Sequence, residues 1–172
     1  GKKLSDHDSI AACAKHFAGY GYSEAGRDYA YVNLSDSELY NFVLPAFKEA
    51  VKEGVATFMT GFSDINGIPA TAHKKLLKSI LREEWNFNGF TVSDWDSVVQ
   101  LITHGFAENE EAAALLSHTA GLDMEMASRS FHFNLTKLVA EGKIPTASID
   151  QSVRRILALK YDLGLFENPY TD

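Results

Sequence analysis

Residues 89–96, Gly-Phe-Thr-Val-Ser-Asp-Trp-Asp, hold the groups in this chain best suited to chemistry. Three β-formers, Phe90, Thr91 and Val92, run into Ser93, the carboxyl of Asp94, the indole of Trp95 and a second acid, Asp96. A short apolar strand that ends in a carboxylate and turns into a helix is how α/β enzymes present a reactive group, because the carboxyl end of a strand opens onto a loop. A carboxylate in that place serves as nucleophile or as general acid or base, or it merely caps the following helix. Similar polar clusters stand at Lys15-His16, at Ser63 and Asp64, and at Glu125.

The elements that must position these groups alternate regularly. Ile10 to Phe17 reads as a buried strand, Val55 to Thr60 as a second, Phe90 to Ser93 as a third and Gly121 to Met126 as a fourth. Between the first two lies a long loop, residues 18–34, with Gly19, Gly21, Gly26 and four tyrosines, and a loop of that length in a compact domain is usually functional. Ser35 with Glu38 predicts a capping box, and Leu39, Phe42, Val43, Phe47 and Val51 form its helix's apolar face, with Pro45 predicting a kink or a late start. Further helices are predicted at 74–85 (Leu76, Leu77, Ile80 and Leu81 inward), up to His104, at 109–119, at 131–141 and at 148–163. Ile149, Val153, Ile156, Leu157 and Leu159 form the last apolar face.

Four such repeats predict an α/β fold with a parallel sheet and right-handed crossovers: four βα units, the second half of a (β/α)8 barrel spanning residues 1–163, with 164–172 as an exit linker. A half-barrel leaves two parallel edges unpaired, so the chain should be part of something larger or should pair with a partner. At 172 residues, 45% hydrophobic and 23% charged, it reads as globular. A net charge of −7 argues against nucleic acid and anionic membranes as partners, and no apolar run approaches the roughly 18 residues that span a bilayer. Cys13 is the single cysteine, which excludes an intrachain disulfide and a multi-cysteine metal site. The histidines His7, His73, His104, His118 and His132 show no metal-ligand spacing with acids and read as structural or surface groups. No metal and no cofactor is expected. The chain starts at Gly1 with no initiator methionine, so it reads as a processed, excised or partial sequence whose compartment its start does not reveal.

On a barrel, every strand delivers its cluster to one rim. Lysine, histidine, carboxylates and a tryptophan converging there suit a polyhydroxylated ligand, since charged groups bind hydroxyls strongly and an indole offers a flat apolar face to a sugar ring. At these residues the chain resembles family 3 glycoside hydrolases. The resemblance rests on Lys15-His16-Phe17-Ala18-Gly19-Tyr20-Gly21 with Gly26-Arg27-Asp28-Tyr29, on Asn66-Gly67-Ile68-Pro69-Ala70, and on Gly89 to Trp95. Gly121-Leu122-Asp123-Met124-Glu125-Met126 and the tail from Val153 to Phe166 follow in the same order, so nearly the whole chain is covered. Within the family it looks nearest to the bacterial periplasmic β-glucosidase branch.

The resemblance implies a retaining exo-β-glycosidase, acting on a β-linked oligosaccharide or aryl glucoside, with Asp94 as nucleophile. It implies that Lys15 and His16 bind sugar hydroxyls, that Trp95 walls the same subsite and that Met59 lines it. Arg27 and Glu125 are further candidate contacts. It also implies that an aspartate and an arginine on earlier strands and a general acid/base on a later sandwich domain lie outside this chain, and that the enzyme is periplasmic or extracellular. The chain alone should then hydrolyse poorly or not at all. Two departures stand out: Phe62-Ser63 replaces a common Tyr-Asn, and Asp96 stands where small residues are usual.

Plainer readings compete. Asp96 reads better as a helix cap than as a second catalytic acid, Arg27 and Asp28 can simply pair with each other, and Met59 suits a core. The tyrosine cluster reads as loop packing. As a whole, the alternatives are a non-catalytic half-barrel that binds sugar or dimerises, and another barrel enzyme, a metal-dependent hydrolase or an aldolase using Lys15.

Overall fold

Every element that carries one of these groups is found in the structure, a computed structural model in which residues 10–170 are described; His7 lies outside them. In chain order the elements are β1 (Cys13–Phe17), β2 (Tyr31–Val32), α1 (Asp36–Glu38), α2 (Leu44–Lys52), β3 (Thr57–Thr60), β4 (Asp64–Ile65) and β5 (Ile68–Pro69). Then come β6 (Phe90–Trp95), α3 (Gln100–Thr103), α4 (Glu110–Ala120), β7 (Met124–Met126), α5 (Ser130–Ala140) and α6 (Thr146–Asp162). Two wide-turned π-helical stretches, Leu39–Val43 and Lys75–Glu84, join α1 to α2 and precede β6.

The main sheet has the order β1-β3-β6-β7, all parallel, with helices packed on it: four βα units of a (β/α)8-type barrel. Met59 pairs with Val92 and Val92 with Met124, so these three share one face with Asp94, two residues further along β6. The opposite face carries Phe58, which meets Phe17 and Phe87 edge-on (centroids 5.2 and 4.9 Å apart) above Leu76, Leu77, Ile80 and Leu81. That helix face is the one its spacing predicts. A second core joins Val98, Leu101, Leu122, Leu138 and Ile144. Gly89 lets β6 start against β3's approach, since a Cβ there would stand 2.0 Å from the Ala56 carbonyl oxygen.

The start of β7 is tied to β6 through one buried carboxylate. Asp123 accepts from Arg82 Nη2 (2.6 Å), Arg155 Nη1 (2.7 Å), Ser152 Oγ (2.7 Å) and the Thr91 N–H (2.9 Å). Burial pulls the Arg82 guanidinium down to about 10, with Asp123 opposing the shift.

Several expectations are corrected. The first strand is shorter than 10–17 and is an edge with Lys15 and Cys13 exposed, because no strand pairs on its far side among the described residues. The 18–34 segment is not all loop: it holds two 3-10 turns and β2, which joins β4 and β5 in a second, three-stranded sheet. The capping box forms at Ser35 and Glu38, but Phe42 is 72% exposed, since the wide turn rotates it off the apolar face. That turn also absorbs the kink: a loosened ladder ahead of Pro45 has room for a residue with no N–H. The helix after β6 is a single turn, α3. On α6 only Ser152 is fully buried; Val153 and Leu157 are 45% and 44% exposed rather than inward.

Candidate active site

Asp94 stands one residue before the end of β6 with only 8% of the residue exposed. Its Oδ1 accepts the Trp95 N–H at 2.7 Å, which fixes the rotamer. Its Oδ2 is buried, makes no hydrogen bond within the described residues and lies 3.2 Å from His16 Nε2. Ser93, pointing the other way, bridges the strands by accepting the Met126 N–H. Alternation along β6 thus spends Ser93 on the fold and leaves Asp94 for the open face.

His16 comes from β1, across the edge of β3. Burial lowers its pKa, Asp94 opposes that and Lys15 adds to it. His16 therefore favours the neutral ring at pH 7, so it lies beside the carboxylate without being its counter-ion. Its ring packs on Tyr20 at 4.7 Å, and the Tyr20 hydroxyl donates to Asp28 Oδ1. Lys15 is exposed and borders a cavity of about 320 Å³ with His16, Tyr20 and Tyr22. Trp95, the last residue of β6, is 62% exposed, and Met59 is half-buried on Asp94's face.

The structure thus brings His16 against Asp94 with Met59 on the same sheet face, while Lys15 and Trp95 are their exposed chain neighbours. Arg27 lies exposed on the loop and does not pair with Asp28, which Tyr20 engages instead. Glu125 is drawn into the fold: its Oε2 accepts the Phe131 N–H at 2.7 Å, capping the start of α5. Burial pushes its carboxyl up to about 7, against that bond and with help from Glu110 and Asp96. Asp96 is not a side-chain cap; it sits at φ +56 in the turn, where its carbonyl accepts the Gln100 N–H.

Ser63 and Asp64, expected at the rim, are buried; Ser63 Oγ meets Ser23 Oγ at 2.9 Å and Asp64 meets His104 Nδ1 at 2.6 Å. Tyr20, expected as loop packing, borders the cavity beside His16, and Asp28, expected to pair with Arg27, bonds Tyr20 instead. The available signal was Tyr20's place four residues after His16, across a glycine at φ +79 that turns the chain back.

The family model described as the glycosyl hydrolase family 3 N terminal domain matches residues 2–159. A periplasmic beta-glucosidase of Salmonella typhimurium is 40% identical over 171 residues, which is 99% of this chain and 22% of that protein. A putative beta-xylosidase of Formosa agariphila is 37% identical over 171 residues, 98% of this chain and 23% of that protein. The crystal structure of a beta-glucosidase from Listeria innocua in complex with isofagomine superposes with a TM-score of 0.95 at 45% identity, over 98% of this chain and 24% of that one. The chain therefore spans about a quarter of the length of the relatives it matches. With a strand-end aspartate 3.2 Å from a histidine of β1 and a family match over nearly all its residues, the chain belongs to glycoside hydrolase family 3.

Proposed function

We propose that this chain supplies the nucleophile side of a retaining β-glycosidase, acting on β-glucosides or β-xylosides within a longer protein. The observation that carries the reading is Asp94: one oxygen is held by the Trp95 N–H, and the other is unpaired beside His16. A carboxylate whose free oxygen has lost water attacks an anomeric carbon readily. The new bond is Oδ2–C1, and the bond to the leaving oxygen breaks as a second carboxyl protonates it; water then releases the sugar by the reverse route. The Listeria enzyme has been crystallised with glucose and, as a mutant, with laminaribiose, which fits a β-linked sugar at this rim.

Lys15 and His16 would hold hydroxyls of the reacting ring, Trp95 and Met59 would contact its faces, and Arg27 would reach the ligand from the loop. Glu125 is the weakest of the expected contacts, since half its carboxyl caps α5. The acid/base and the other barrel strands are proposed to lie outside residues 1–163, where the open edges of β1 and β7 and the exposed stripe of α6 would meet them. A secreted or periplasmic setting fits the relatives, one named periplasmic and another, from Dictyostelium discoideum, named lysosomal.

Asp94→Asn in the longer protein is expected to abolish turnover of a nitrophenyl β-glucoside, and mass spectrometry of the wild type should find the glycosyl adduct on Asp94. Wild-type turnover by the variant would sink the assignment. The open edges also fit a self-pairing half-barrel that binds sugar without cleaving it, and sugar binding with no adduct and no turnover favours that reading.

A further inference from the structure

The segment that follows Asp94 is held by the burial of Val98 and Leu101 in the second core and by the Asp96 N–H on the Met126 carbonyl, but it is short and irregular. Asp96 is at φ +56, the Ser97 N–H bonds back to the Asp94 carbonyl at 3.2 Å, and α3 is one turn of four residues. A helix that short is not stable alone. Besides that apolar packing, two buried polar ties reach it, and both come from residues 60–71. Thr71 Oγ1 meets Ser97 Oγ at 2.8 Å and Thr60 Oγ1 at 2.9 Å, linking the nucleophile's turn to the end of β3. Asp64 Oδ1 meets His104 Nδ1 at 2.6 Å, at the far end of α3, with side-chain exposures of 6% and 11%.

Asp64 is itself fixed, paired with Tyr31 on β2 and with Pro69 on β5. The loop that carries Tyr20, Arg27 and Asp28 leads into β2, and Ser23 touches Ser63 beside Asp64. The small sheet thus contacts both the segment after the nucleophile and the loop across from it.

We propose that the β2–β4–β5 sheet is a positioning device for Asp94, with Asp64 and His104 as positioning residues that act through α3 and with Thr71 as the second tie. This rests on the reading of Asp94 given above. Buried polar pairs have few alternative geometries, because breaking one strands a desolvated group. The ties therefore hold the carboxylate at one distance from the anomeric carbon, and misplacement of a reacting group by about 1 Å costs on the order of 100-fold.

The test uses the full enzyme that contains this chain. Asp64→Ala and His104→Ala should each lower kcat on a nitrophenyl β-glucoside about 10- to 100-fold with KM within about twofold. Asp64→Asn, whose amide oxygen still accepts from His104, should retain most of the rate. The double variant should be no slower than either single one, because the two residues act as a unit. Unchanged kcat, a change in KM alone, or losses that multiply would overturn the proposal.

If Asp64→Ala does not fold, Thr71→Val takes its place, and a folded Thr71→Val enzyme with wild-type kcat refutes positioning. Asp94→Asn separates the two levels: turnover there removes the active-site reading itself. A dead Asp94→Asn beside unaffected Asp64 and Thr71 variants removes only the positioning role.

Discussion

Replacing Asp123 with Ala should be among the most damaging single changes in the chain, and its cost can be worked from the geometry. The side chain is 1% exposed and sits between two guanidiniums, Arg82 at 2.6 Å and Arg155 at 2.7 Å. It also accepts from Ser152 Oγ, and from Thr91 through the backbone N–H and, at 3.2 Å, the hydroxyl. Without it, Arg82, whose side chain is 11% exposed, keeps its charge with only two carbonyl acceptors, those of Phe87 and Gly89. Breaking a buried ion pair from one side costs about 3–5 kcal/mol, against about 5–15 kcal/mol of total stability for a domain.

Asp123→Asn should be nearly as harmful. Whichever way the amide turns, its NH₂ meets donors: Ser152 and Arg155 on one side, Arg82 and the Thr91 N–H on the other. Ser152→Ala is the mild control, at about 1 kcal/mol. Urea unfolding followed by far-UV circular dichroism should show the Asp123→Ala midpoint lowered by about 1–3 M with an unchanged slope. A loss no larger than that of Ser152→Ala would refute the account of Asp123 as the hub joining β6, β7 and α6.

Glu125 makes the protein's stability pH-dependent in a direction opposite to a usual paired acid. Its folded pKa is raised by burial to about 7 from 4.5, so the folded state binds more protons between those values and stability falls as pH rises through that window. Glu125→Gln should flatten this: unfolding free energies at pH 5 and pH 8 should differ less in the variant than in the wild type, and an equal difference contradicts the buried-carboxyl account. Gly89→Ala would place a Cβ 2.0 Å from the Ala56 carbonyl oxygen and 2.6 Å from the Phe87 ring, so β6 must move off β3. A loss of about 3 kcal/mol or more, or insoluble expression, is expected, and a soluble variant with wild-type melting temperature contradicts the close approach.

The sequence alone determined the order of the four main-sheet strands and the helices between them, the inward face of the 75–84 helix, the Ser35–Glu38 cap and the strand-end place of Asp94. All of these follow from local rules: side-chain periodicity, capping chemistry and the habit of a β-run ending in a turn. It also placed Lys15 and His16 at the end of β1, though not their distance from Asp94. That distance, 3.2 Å between His16 Nε2 and Asp94 Oδ2, depends on the register of β1 on β3 and of β3 on β6, which no local pattern encodes.

Tertiary structure alone decided which polar groups became scaffold. Asp64, Ser63, His104 and Asp123 look in the sequence like any rim acid, serine, histidine or strand residue, yet each is buried in or around a bond to a residue 29 to 41 positions away. Glu125 was likewise a rim acid until α5 began beside it. A carboxylate becomes a nucleophile, a cap or a hub according to which donors the fold places against it. For Asp94 the fold supplies one backbone N–H and one histidine and leaves an oxygen over.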